Sequence, residues 1–117
     1  MLLTSAAALM IFANGPATDV GYEPLVDGRD ADAVEEIHAN TDLSADDPVK
    51  LINLGIAYAR QGRNAEARAM FEAAMKGEDR VVLETANGDW KDSRHLARAA
   101  LLMLERGEFR AERMAAR

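Results

Sequence analysis

Apolar residues recur at helical spacing through residues 48–75, and a glycine divides that stretch in two. Leu51, Leu54 and Tyr58 fall on one face of a helix, since residues three and four apart are neighbours on a helix surface. The same spacing continues beyond Gly62. The apolar residues there are Ala67, Phe71 and Ala74. The pattern predicts two antiparallel helices that pack tightly against each other, one on each side of the glycine.

The residue types at the ends of these helices indicate where each helix begins and stops. Asp47 is a favourable N-cap, and Pro48 is a favoured first helical residue because proline has no amide hydrogen to leave unbonded. The first helix is predicted to run to about Gln61, where Gly62 can adopt the left-handed conformation that ends a helix. We expect Asn64 to cap the second helix, which continues for about three turns to the next glycine.

A third amphipathic segment follows, with Asp92 or Ser93 as its predicted N-cap and Gly107 beyond its end. Its apolar residues recur on one side, as in a helix that packs against the first two. They are Leu96, Ala99, Ala100, Met103 and Leu104. The charged, alanine-rich end from Phe109 to Arg117 is interpreted as a short capping helix or a frayed end.

A β-hairpin is predicted between the second and third helices, at about residues 80–92. Asn87 and Gly88 form the strongest short signal for a two-residue type I′ turn, because both residue types tolerate positive φ. Counting outward from that turn pairs Thr85 with Trp90. An isolated hairpin is marginal in water, so we expect Trp90 to pack onto the helices; the alternative is an exposed recognition anchor.

The residues before Pro48 repeat part of the helical pattern. Gly28, Ala33 and Ile37 stand about 34 residues before the corresponding glycine, alanine and phenylalanine of the later helix pair. A short amphipathic helix is therefore predicted from Asp30 to Asn40. It would be the second helix of an incomplete unit whose first helix is absent, because residues 14–27 are rich in glycine and proline and have no apolar periodicity.

The segment 48–75 resembles one tetratricopeptide repeat, a helix-turn-helix motif of about 34 residues. The matching positions are Leu54, Gly55, Tyr58, Gly62, Ala67, Phe71 and Ala74. The proline that commonly follows the second helix is missing, with Asp79 in its place. The resemblance implies a mostly α fold: a short antiparallel helix-turn-helix array of one and a half to two repeats with one inserted β-hairpin.

Length favours a single small domain, with residues 28–117 as the helical array and residues 18–27 as a linker. Residues 1–17 contain an apolar run followed by small residues, a pattern typical of a signal peptide and too short to span a bilayer. The basic residues that usually precede such a run are missing. We expect export to the periplasm; the alternative is a buried or frayed N-terminal helix of a cytoplasmic protein.

Members of this family bind an extended peptide or a partner helix in a groove lined by the first helix of each repeat. Carried over by position, the resemblance implies a groove formed by Val49, Ile52, Asn53, Ile56 and Arg60 from one helix and by Arg94, Ala97, Arg98 and Leu101 from the next. Arginines beside isoleucines suggest a protein ligand with an apolar anchor and acidic flanks. The predicted function is a non-enzymatic adaptor or scaffold. The alternative is a structural module that self-associates, because repeats of this class bury their apolar faces against neighbouring repeats. The groove of such a module would hold a second copy of the chain or its own N-terminal segment.

Charge and motif content argue against other classes of function. The first 47 residues hold ten acidic side chains and one basic one, and the net charge is −6, so nucleic acid binding is not expected. The chain has no cysteine, and His38 and His95 are far apart, so neither a metal site nor a cofactor is predicted. Asp92, Ser93 and His95 are adjacent at a helix start and do not face one another as a catalytic triad would. No other catalytic motif is present, and an enzyme is not predicted.

Overall fold

The computed structural model describes residues 11–12, 21–85 and 88–109. Its elements, in chain order, are β1 (Ile11–Phe12), α1 (Tyr22–Val26), α2 (Asp30–Ala39), α3 (Pro48–Arg60), α4 (Asn64–Lys76), β2 (Val82–Thr85), β3 (Trp90–Asp92) and α5 (Ser93–Glu105). The structure confirms the predicted fold class, a mostly α helix-turn-helix array with an inserted hairpin. It adds a third strand and a helix that the sequence pattern did not predict.

The central helix pair begins and turns where the sequence predicted. The Asp47 carboxylate accepts hydrogen bonds from the backbone amides of Val49 and Lys50, at 2.9 and 3.1 Å. These bonds satisfy two of the amides that the first turn of α3 leaves without helical partners. Gly62 follows α3 with φ of 80°, a conformation that glycine adopts without steric cost. The predicted cap and turn are confirmed.

The predicted cap of α4 is wrong by one residue. Asn64 is the first helical residue, and Arg63 stands at the N-cap without a capping side-chain bond. The Arg63 carbonyl accepts the first helical bond from Ala67, at 3.0 Å. The Arg63 guanidinium lies 4.6 Å from the centre of the Tyr58 ring and pairs with Glu66. These contacts hold Arg63 in place at the start of α4.

The predicted linker contains a helix. α1 occupies residues 22–26, and its Pro24 and Leu25 are fully buried. Proline is tolerated in the first turn of a helix, which is where Pro24 lies. α1 packs on α2 and α3, so the incomplete first unit has a short helix where the sequence indicated none. The predicted helix from Asp30 is confirmed as α2 and ends at Ala39.

The hairpin is present, but its register differs by one residue from the prediction. Glu84, not Thr85, lies opposite Trp90. The Thr85 amide donates to the Asp89 carbonyl at 2.8 Å, and the Gly88 amide donates to the Thr85 carbonyl at 2.9 Å. Three residues therefore separate the last bonded pair, where a two-residue turn had been expected. Gly88 has φ of 89°, which suits the left-handed position of a three-residue hairpin loop.

β1 adds a third, antiparallel strand to this hairpin, in the order β1-β2-β3. Ile11 pairs with Thr85 and Phe12 pairs with Glu84, and the strand also contacts α3. The alternative of an N-terminal helix is wrong for these two residues, which form a strand. The remainder of the signal-peptide-like segment, and the predicted capping helix or frayed end beyond residue 109, lie outside the described residues.

α5 completes the helical layer by packing on α4 and α3. Of the two candidate caps, Asp92 is the cap: its carboxylate accepts from the amides of Arg94 and His95, at 2.8 and 3.3 Å. The predicted apolar side of the helix faces the core. Its buried members are Leu96, Ala100, Met103 and Leu104, and Ala99 is half-buried. Beyond the helix, the buried Phe109 ring stacks on Phe71, with centroids 5.9 Å apart.

Candidate functional site

The face of α3 predicted to line a groove lies in the interior of the protein. Ile52, Asn53 and Ile56 have no exposed surface, and Val49 and Arg60 are 5% and 6% exposed. α1, α2, α4, α5 and β1 all contact α3, which makes it the central helix of the described fold. In this conformation a ligand could reach Ile52 or Ile56 only after one of these neighbours moved.

Arg60 is engaged within the chain. Its Nη1 donates to the Leu25 carbonyl oxygen at 3.0 Å, and its Nη2 lies 3.2 Å from Oδ1 of Asp30. The two side chains are 8% and 13% exposed, so solvent screens the pair little. Arg60 thus joins the end of α1 and the start of α2 to the end of α3. The sequence pattern gave no sign of this role, because both partners lie about 30 residues away in a segment that was interpreted in part as a linker.

The predicted groove residues on α5 divide into supporting and exposed positions. Arg94 is half-buried, and its Nη2 donates to the Gly77 carbonyl at 2.8 Å, just beyond the end of α4. Ala97 is buried and Leu101 is half-buried. Arg98 is exposed, and Leu102, one turn further along, is 47% exposed. Arg98 is therefore the member of the predicted set that is most accessible to a partner.

An apolar patch on the outer face of the sheet was not predicted. Trp90 and Val82 are 56% and 62% exposed. Glu84 lies opposite Trp90 and two residues from Val82, so the valine and the tryptophan are diagonal neighbours on one face of the hairpin. The expectation that Trp90 packs onto the helices is wrong. The shifted register is the reason, because it places Trp90 on the face opposite to the buried Leu83.

Comparison with protein-family models matched residues 50–77 to a model described as "Tetratricopeptide repeat". The match spans most of α3, the turn at Gly62 and all of α4. The chain contains a tetratricopeptide repeat. Comparison with curated proteins and comparison with solved structures each gave no match.

The packing inside this tetratricopeptide repeat explains two of its matching residues. A Cβ atom built on Gly55 would lie 2.9 Å from Cζ of Phe71, and two other atoms of that ring would be closer still. Glycine therefore allows α3 and α4 to approach through the Phe71 ring, which is fully buried. Tetratricopeptide repeats are non-enzymatic modules that bind other proteins.

Several polar residues considered above as candidate metal ligands or catalytic groups have structural partners. Nε2 of His38 lies 3.3 Å from the Tyr58 hydroxyl oxygen. Asp92 caps α5, and the Ser93 hydroxyl accepts from the Val81 amide at 3.1 Å, so these two residues support a helix start.

Among the described residues no group of histidine and acidic side chains is arranged to hold a metal ion. Within the same residues, no helix has the length and apolar character needed to cross a bilayer.

Proposed function

We propose that the protein is an adaptor or scaffold that binds another protein through its tetratricopeptide repeat. The observation that carries this proposal is the match over α3 and α4, because that helix pair in this family mediates protein–protein interaction. α5 extends the array beside it. A peptide or partner helix would bind between the two first helices. The groove residues proposed for it are Val49, Ile52, Asn53, Ile56, Arg60, Arg94 and Arg98.

The structure favours Arg98 for the first contact with such a partner. Arg60 is paired with Asp30, and Arg94 supports the end of α4, while the Arg98 side chain is exposed. A guanidinium binds carboxylates through two parallel hydrogen bonds. We therefore expect the part of the ligand that meets α5 to be acidic, and the part that reaches α3 to be apolar because Ile52 and Ile56 lie there.

Partner capture by a charge-reversed variant tests this function. Arg98→Glu changes an exposed charge beside the proposed groove, and Arg68→Glu is the matched control on α4. Arg68 lies 3.7 Å from Glu105, with both side chains about half exposed, a pair of a kind that adds little to stability. A tagged protein recovered from its native cells should lose a discrete partner in Arg98→Glu and keep it in Arg68→Glu. Equal capture by both variants would place binding elsewhere.

Self-association is the second candidate, and the outer patch of Val82 and Trp90 favours it. Exposed apolar groups that lie together commonly mark an interface. In that case a homo-oligomer should lose mass on dilution, and Trp90→Ser should shift the equilibrium to the monomer. Sedimentation equilibrium over a wide concentration range distinguishes this outcome from an adaptor, which would stay monomeric.

The proposed location is the periplasm, on the strength of the apolar run in residues 1–17. Intact mass of a C-terminally tagged protein from its native cells tests it. Export predicts a mass that lacks about the first 15 residues. A full-length mass would favour the cytoplasmic alternative.

A further inference from the structure

The helices of the described fold form an array with two ends. α3 lies in the middle, α2 packs on α3 and α1, and α5 packs on α4 and α3. α1 and α2 therefore form one end of the array, and α5 forms the other. A helix at the end of such an array has a neighbour on one side only, so its other face is open to solvent. Both ends lie within the described residues and beyond the signal-peptide-like segment.

The outward face of α5 and its C-cap combines an apolar residue with positive charge. Its members recur three or four residues apart, which places them on one side of a helix. They are His95, Arg98, Leu102 and Arg106, and all four are exposed. The acidic residue beside them, Glu105, pairs with Arg68 of α4 at 3.7 Å. The surface around Leu102, which is 47% exposed, is therefore basic.

The opposite end of the array combines an apolar residue with negative charge. Val26, the last residue of α1, is 53% exposed. Residues 21–47, which contain α1 and α2, hold nine acidic side chains and one basic one, Arg29. The Arg29 guanidinium is paired with two of those carboxylates, each at 3.3 Å. Acidic residues that are exposed on the two helices include Glu23, Glu35 and Glu36.

We propose that the outward face of α5 docks the α1–α2 end of a second copy of this chain, so that copies associate head to tail. Charge complementarity selects this occupant, because Arg98 and Arg106 would meet the carboxylates of the other copy while Leu102 packs on its Val26. Two α5 faces would repel each other, as would two α1–α2 ends. The contact therefore joins unlike surfaces, and each added copy leaves one surface of each kind open.

This inference goes beyond the adaptor function, which needs only one copy of the chain. It also gives self-association a surface other than the outer patch of Val82 and Trp90. Val26 and Leu102 lie on helices at the two ends of the array, whereas Val82 lies on β2. Different substitutions therefore distinguish the two surfaces.

The salt dependence of the wild-type mass is the first test. Sedimentation equilibrium in about 0.1 M salt should give an average mass that rises past the dimer with concentration. In about 1 M salt the Debye length falls from about 10 Å to about 3 Å, so we expect the dissociation constant to rise at least about tenfold. A monomer at millimolar protein in the lower salt, or a dissociation constant that salt leaves unchanged, would overturn the proposal.

Matched variants locate the contact. Val26→Lys brings a positive charge to the basic α5 face of the next copy, and Leu102→Asp brings a negative charge to its carboxylates. Each should raise the dissociation constant at least about tenfold, because like charges across an interface oppose association. Val82→Lys is the control, the same change at another exposed valine, and should leave the constant as in the wild type. Loss of association in Val82→Lys alone would place the contact on the sheet and contradict the proposal.

A mixture of the two end variants tests whether their surfaces meet. Val26→Lys keeps an intact α5 face, and Leu102→Asp keeps an intact α1–α2 end. An equimolar mixture should therefore regain the association that each variant lacks alone, and urea midpoints near the wild-type value confirm that both are folded. A mixture of the folded variants that stays monomeric, where the wild type associates, would show that the two surfaces do not meet.

Val26→Lys also separates this inference from the adaptor function. It alters neither α3 nor α5, so the adaptor function predicts that it still captures the partner that Arg98→Glu loses. Partner capture by a wild-type protein that stays monomeric would support the adaptor function and contradict head-to-tail association. Association that Val26→Lys abolishes, in a wild-type protein that captures no other partner, would support head-to-tail association alone.

Discussion

Glu84 lies directly opposite Trp90 in the β2–β3 ladder, and this one pairing decides which way the tryptophan faces. Side chains alternate along a strand, so a one-residue slip moves a side chain to the other face of the sheet. Pairing with Thr85 would have turned Trp90 to the side of the buried Leu83. The observed register leaves Trp90 56% exposed, beside Val82.

Trp90 is the protein's single tryptophan, so its environment is directly measurable. We expect fluorescence emission typical of a water-exposed indole, with strong quenching by acrylamide. Trp90→Ser should change the free energy of unfolding by less than about 0.5 kcal/mol, as surface substitutions usually do. Leu83→Ala, on the opposite face of the hairpin, should lower the free energy of unfolding by about 2–3 kcal/mol. Blue-shifted, unquenched emission would mean that Trp90 is packed.

Gly55→Ala should destabilise the protein, although alanine is the better helix former by about 1 kcal/mol. A Cβ at this position would overlap the Phe71 ring, and overpacking in a core costs about 1–3 kcal/mol. Urea unfolding measures the change. In a Phe71→Leu background, which shortens the opposing side chain, the same substitution should cost less. A stabilising Gly55→Ala would show that α3 and α4 do not approach this closely.

Asp30→Ala should cost about 3 kcal/mol or more, because it leaves the Arg60 guanidinium buried without its charge partner. Asp32→Ala is the matched control in the same turn of α2. Its partner Arg29 is 3.3 Å away and both side chains are about half exposed, so a loss below about 1 kcal/mol is expected. Thermal and urea unfolding of the two variants give the comparison, and equal losses would contradict a buried tether at Arg60.

Asp92 should make stability depend on pH in the acid range. The hydrogen bond from Arg80 lowers the pKa of Asp92, and the amides of Arg94 and His95 lower it further. The folded pKa is therefore below the unfolded value of about 3.9. The contribution is fully present above the unfolded value and is lost as pH falls through the folded pKa.

This dependence is testable by urea midpoints at pH 6 and pH 3. Between pH 6 and pH 3 the urea midpoint should fall less in Asp92→Asn than in the wild type. Arg80→Gln should reduce this fall in part, because the hydrogen bond from Arg80 is the largest cause of the lowered pKa of Asp92. The double variant should behave as Asp92→Asn alone. A fall of wild-type size in Asp92→Asn would show that other carboxylates account for it.

Local residue chemistry predicted most of the helical array. Asp47 and Pro48 marked the start of α3, Gly62 marked its end, and Gly55 and Phe71 indicated close helix packing. Each of these signals acts within a few residues or one helix pair, so it is visible without knowledge of the rest of the fold.

The remaining features depend on contacts that are distant in sequence. α1 is held by Arg60, which is 35 residues from Leu25. The hairpin register was wrong because Gly88 suits the left-handed position of a two-residue or a three-residue loop. The groove positions on α3 follow from the repeat pattern, but α3 is also contacted by β1 and α1, whose sequences carry no helical or alternating pattern that would place them there.

The most direct test of this account is whether β1 lies on β2 beside α3. In mild oxidant, Phe12→Cys with Glu84→Cys should form an intramolecular disulfide rapidly and nearly completely, as followed by mass and gel mobility. Phe12→Cys with Lys91→Cys should remain reduced over the same time. Equal rates for the two pairs would contradict the account, because β1 would then have no fixed place on β2 and no fixed contact with α3.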